Sequence, residues 1–151
     1  IVGRFPADNP VPEPLEIDKI IVHHKARKTP GFSSNLAEIH GSGYPDGIGA
    51  EMFDFSLLKS AWLDEKDPEK LEHVHLNFYN YATGEGVNED LCPISTITCP
   101  KHFARPDLIL DVNTHDQYLF LKEIYNYFSM SNKNFRIIDI IEWYDNVYNN
   151  I

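Results

Sequence analysis

The chain has 151 residues, 42% of them hydrophobic, which suits one globular domain with a real core. Thirteen basic against 23 acidic residues leave a net charge of −10, which argues against tracking along nucleic acid, since that needs a basic stripe. No apolar run approaches the roughly 18 residues of a membrane span and no signal peptide is visible, so the sequence reads as soluble and cytoplasmic, with no membrane partner.

Residues 1–5, Ile1-Val2-Gly3-Arg4-Phe5, read as a short strand. It starts without an initiator Met or a lead-in loop, as the middle of a longer protein would. The proline-punctuated loop PADNPVPEP follows, with Asp8 just beyond the strand. Residues 15–25 predict a helix whose broad apolar face carries Leu15, Ile17, Ile20, Ile21 and His24. A short strand over 32–36 leads into the glycine-rich HGSGYPDGIGAE and then a strand over 51–55.

Residues 56–62 and 68–79 predict helices, the second opened by Asp67 as N-cap and Pro68 at the first helical position. The stretches LCPISTITC, 91–99, and 108–112 predict strands. Thr114, with Gln117 three residues on, forms a capping box for a helix bearing Tyr118, Leu121, Tyr125 and Phe128 on one face. The aromatic-rich IIDIIEWYDNVY predicts a terminal helix. Alternating strands and helices predict an α/β domain with a largely parallel sheet.

Side chains at i and i+2 of a strand share a face, so Asp111 and Asn113 project together from the carboxyl end of theirs. Open α/β sheets bind ligands at that end. Asp8 sits similarly beyond the first strand, and convergence of these oxygens would suit a hard cation such as magnesium. The plainer alternative is that these residues only close turns and cap a helix. The glycine-rich loop would let backbone approach a ligand, but it matches no phosphate-binding glycine motif.

Cys92 and Cys99 are too few for a disulfide scaffold and have no zinc spacing. Of seven histidines (His23, His24, His40, His73, His75, His102 and His115), His73 and His75 are two apart on the predicted helix. They therefore share no face for a zinc pair. No arrangement for acyl transfer is present.

Four motifs occur in order: RFPADNP (4–10), YPDGIGAEMF (44–53), EHVHLNFY (72–79) and LDVNTHDQYLFLKEIYNYF (110–128). Together they resemble the cytidylyltransferases of surface-sugar biosynthesis. That family includes acylneuraminate and CMP-KDO synthetases and the spore-coat polysaccharide synthesis proteins, to which this chain is most similar. The resemblance implies a Rossmann-like nucleotide-diphospho-sugar transferase fold, three-layer α/β/α with a mostly parallel sheet, incomplete at its N-terminus. It implies that CTP and a sugar acid give a CMP-sugar and pyrophosphate with Mg2+, in a homodimer. It assigns Asp8 and Asp111 as catalytic, Asp8, Asp111 and Asn113 as metal ligands, and Arg4, Asn9, Tyr44, Asp46, Gly47, Glu51 and His73 as substrate-binding. Asn113 stands where the family usually has a second Asp. The family's basic, glycine-containing CTP loop has no counterpart here. The chain is thus expected to be a C-terminal portion that does not turn over CTP alone. The alternative is a non-catalytic sugar-binding or dimerisation module.

Overall fold

A computed structural model describes residues 1–37, 39, 41–80, 82–130 and 134–150; His40 lies outside them. Pro14 at the first turn opens helix α1 (Pro14–Lys25), which connects strand β1 (Val2–Arg4) to strand β2 (Phe32–Ser34). Strand β3 (Glu51–Phe53) lies between those two strands. Helices α2 (Phe55–Asp64) and α3 (Pro68–Glu72) and a 3-10 turn (Val74–Asn77) follow. A small hairpin pairs β4 (Tyr79–Asn80) with β5 (Glu85–Gly86), and β6 (Ile94–Ser95) returns to the main sheet. Helices α4 (His115–Met130) and α5 (Ile137–Asn146) complete the core.

The expected Rossmann-like, three-layer, mostly parallel sheet is not what forms. The main sheet has the order β1-β3-β2-β6, with β3 antiparallel to both neighbours and only β2–β6 parallel. The physical cause lies in the connections. A parallel neighbour needs a crossover, usually a helix. Among the described residues of 35–50, no helix leads from β2 to β3, and β3 enters against β2 and separates it from β1. The α1 crossover does leave β1 and β2 running the same way, but they do not touch.

Other segments also depart from the sequence reading, three of them for visible reasons. Residues 91–99 pair only at Ile94–Ser95; Pro93 lacks an N–H to extend the ladder. The helix expected over 68–79 stops at Glu72, where the Asn77 side-chain amide donates to the carbonyls of Lys70 and Val74, each at 3.0 Å. Such side-chain bonds compete with helical ones. The segment 108–112 is no strand in a sheet: it makes one isolated parallel bridge, Ile109 to Asp46.

Phe32, fully buried, is surrounded by Phe53, Phe78 and Tyr79 at ring-centroid distances of 5.1, 5.9 and 5.2 Å. A second and larger cluster packs Tyr44, Ile48, Leu108 and Leu110 against Leu121, Ile124, Phe128 and Ile140 of α4 and α5. Buried Glu13 joins the starts of two helices: its carboxylate accepts from Leu15 N–H at 3.4 Å and Ile137 N–H at 3.2 Å, and pairs with Arg136. A carboxylate at a helix N-terminus also meets the positive end of the helix dipole.

Phe32→Ala should lower the free energy of unfolding by about 3–5 kcal/mol, as for other buried aromatic truncations. Urea denaturation measures it.

Candidate functional site

Backbone hydrogen bonds lace three loops together. The Val112 N–H donates to the Asp8 carbonyl at 2.9 Å, and the Asp46 N–H to the Leu108 carbonyl at 3.0 Å. The Leu110 N–H returns to the Asp46 carbonyl at 3.1 Å. Gly47 makes this approach possible. Its φ is +84°, and a Cβ there would sit 2.5 Å from the Leu110 carbonyl carbon and 2.7 Å from the Asp111 nitrogen. Only glycine fits such a left-handed position against backbone. The turn at Gly47 also ends the pairing with 108–112 after a single bridge.

The lacing brings Asp8, Asp46 and Asp111 to one cleft of about 440 Å³, which also contains Arg4, Asn9 and Asn113. Glu69, His73 and Leu76 close the wall opposite, from α3 and the turn after it. Burial raises the pKa of Asp46, and the charges of Asp111 and Asp8 raise it further. Burial likewise raises that of Asp111, and the Asp8 charge adds to it. Asp46 therefore feels the charge of both other carboxylates, and Asp111 that of Asp8.

Asp111 is held from the helix side. The Asn113 side-chain amide donates to one of its oxygens, and the Gln117 amide donates to the other at 3.3 Å. Arg4 reaches the cleft from the end of β1 and pairs at 2.8 Å with Glu51, which is fully buried beneath it. Burial raises the Glu51 pKa and Arg4 opposes that rise. His75 lies 3.8 Å from the other Glu51 oxygen. Burial first, then the charges of Arg4 and His73, push its pKa down to about 4.

Seven residues singled out in the sequence thus face one cleft: Arg4, Asp8, Asn9, Asp46, His73, Asp111 and Asn113. Three others do not. Tyr44 is buried in the core, its hydroxyl donating to Glu16 at 2.6 Å, and burial together with Glu16 raises its pKa. Gly47 stands behind Asp111, and Glu51 lies under Arg4. Sequence reading missed Glu69, although it lies four residues before His73, on the same face of the predicted helix. It also used Gln117 as a cap alone.

Among the described residues, no three or more of His, Cys, Asp and Glu are grouped so as to hold a metal ion. Magnesium, however, is commonly held by one or two carboxylates plus substrate phosphates and water. Asp8 and Asp111 offer such hard oxygens, and the carboxylate charge they share with Asp46 is what a cation would offset. Oxygens of this kind are the donors that magnesium takes. Asn113 fits less well, because its amide nitrogen is turned to Asp111. A larger hollow of about 540 Å³ lies between Pro10, Tyr125 and Arg136. Among the described residues, no carboxylate, histidine or cysteine lines it, so the chemistry favours the acidic cleft.

Gly47→Ala should cost about 2 kcal/mol or more, since strained backbone alone costs of order 1–3 kcal/mol. Chemical denaturation measures the loss.

His75 sets a pH dependence. The unfolded chain takes up its proton near 6.5 and the folded chain only near 4, so the neutral form's contribution is complete above pH 6.5. It is lost as pH falls from 6.5 towards 4, a change of about 3 kcal/mol. The stability difference between pH 7 and pH 4.5 should therefore shrink in His75→Phe, as thermal melts at the two pH values will show.

The uncharacterized protein MJ1063 of Methanocaldococcus jannaschii is similar to this chain, with 23% identity over 143 residues. The match covers 94% of this chain and 53% of that protein, so the chain spans about half the length of the relative. No family model and no solved structure matches the chain. Among the described residues, no helix is long and apolar enough to cross a membrane.

Proposed function

We propose that the chain carries the sugar- and metal-binding part of a nucleotidyltransferase that activates a sugar acid as its CMP derivative, in the cytoplasm, for surface polysaccharide synthesis. One observation carries the reading. Arg4, Asp8, Asn9, Asp46, His73, Asp111 and Asn113, drawn from all four of the motifs that resemble the cytidylyltransferases, meet at one cleft.

In this reading the attacking hydroxyl of the sugar and the α-phosphate of CTP meet between Asp8 and Asp111. Bound magnesium would neutralise charge developing on the phosphoryl oxygens and draw the reactants into line. The chain's own groups position the rest. Arg4, braced by buried Glu51, presents a cation to a carboxylate or phosphate. Asn9 and His73 offer hydrogen bonds to sugar hydroxyls. Val112, tied to Asp8 through the backbone, keeps the two carboxylate-bearing loops in register.

A dimerisation module is the second reading. It is favoured by α2, where Phe55, Trp62 and Leu63 are 63%, 71% and 59% exposed. Both readings expect a dimer, so pyrophosphate release rather than sedimentation separates them.

The experiment is pyrophosphate release from CTP with magnesium and a panel of nonulosonic acids, run on this chain and on any longer form of the protein. Activity in a longer form alone is the expected result, and no sugar-dependent release from either would overturn the reading. Asp8→Asn and Asp111→Asn should each lower release more than about 100-fold, because the metal contributes several kcal/mol to the transition state. Their circular dichroism should be unchanged.

A further inference from the structure

Gln117 does two things with one amide. Its oxygen accepts the backbone N–H groups of Asn113 at 2.7 Å and Thr114 at 2.8 Å, at the start of α4. Those two donors fix which way the amide faces, because a flipped group would set its NH2 against them. The nitrogen is thereby committed to Asp111, 3.3 Å away. The reciprocal bond, Gln117 N–H to the Thr114 hydroxyl at 3.3 Å, closes the capping box.

We propose that Gln117 is a positioning residue for Asp111, acting with the Asn113 amide as a clamp that takes one lone pair from each carboxylate oxygen and leaves the remainder facing Asp8 across the cleft. This rests on the reading of the cleft as a cation site. A carboxylate offers about four lone-pair sites, so two remain for a cation and substrate. Asp111 is 9% exposed, and the two amides hold its carboxylate from the helix side.

The choice of residue supports the assignment. A capping box accepts Glu as readily as Gln at its third position, so the helix alone does not call for an amide. Glu would cap α4 equally well but would turn a carboxylate towards Asp111 where Gln turns a donor. The side chain present is the one that satisfies both demands. Groups that orient a metal ligand in this way typically change metal affinity 10- to 100-fold when removed.

The test compares wild type, Gln117→Glu and Gln117→Ala. Far-UV circular dichroism without added metal reads the cap, and Mn2+ binding by electron paramagnetic resonance reads the site. Gln117→Glu should keep the helix signal yet bind Mn2+ at least 10-fold more weakly. Gln117→Ala should lose on both counts. Mn2+ affinity in Gln117→Glu equal to or above that of wild type would overturn the proposal.

A cation-free readout separates this from the cation reading itself. The Gln117 side-chain amide signals in a 15N–1H spectrum should move in Asp111→Ala, and unmoved signals would overturn the clamp. Wild type that binds no Mn2+ would sink the cation reading, and the amide signals alone would then decide for or against the clamp.

Discussion

The close approach of residues 46–47 to residues 108–111 is the constraint on which the rest of the site depends. Two backbone hydrogen bonds and one glycine with a left-handed φ make it. The same contact buries Leu108 and Leu110 beside Tyr44 and Ile48, so the loop pairing is also the roof of the larger core. Core packing and site geometry are thus one arrangement. Loosening the loops exposes apolar surface, and that penalty keeps three acidic side chains together despite their mutual repulsion.

Buried charge is handled differently in each place it occurs. Glu13 caps α1, receives the Ile137 N–H and pairs with Arg136, while Glu16 takes a hydrogen bond from Tyr44 and another from Lys19. Both are neutralised or bonded in place, which is what a buried carboxylate requires. Glu51 is bonded on one oxygen by Arg4, and its other oxygen faces His75, whose depressed pKa keeps that ring neutral. Among the described residues, no cationic side chain bonds Asp46 or Asp111, and the side chains that bond Asp111 are the amides of Asn113 and Gln117. Among the described residues, the buried carboxylate bonded to no cation is therefore Asp111, at the cleft.

Several local features were legible because they depend only on neighbours in sequence. The Thr114–Gln117 box and the helices over 14–25 and 137–146 follow from capping residues and from periodic apolar positions. Asp8, Asp111 and Arg4 could be picked out from their places beyond short apolar runs and within motifs resembling one family. The glycine-rich stretch was read as a loop that lets backbone come close. It does so, but to the chain's own residues 110–111.

What the sequence by itself determined is the set of local elements, the balance of charge and the residue types available to the cleft. Direction and register within the sheet were decided only in three dimensions. The period of two that marks a strand is the same for parallel and antiparallel partners, and β3 runs antiparallel where the described residues between β2 and β3 form no crossover helix. Depth was also decided there: Tyr44 and Glu51 look like site residues in one dimension, yet close packing carries one into the core and the other beneath Arg4. Asp46 joins Asp8 and Asp111 because backbone bonds between residues more than 60 apart hold it there, contacts to which no local pattern corresponds.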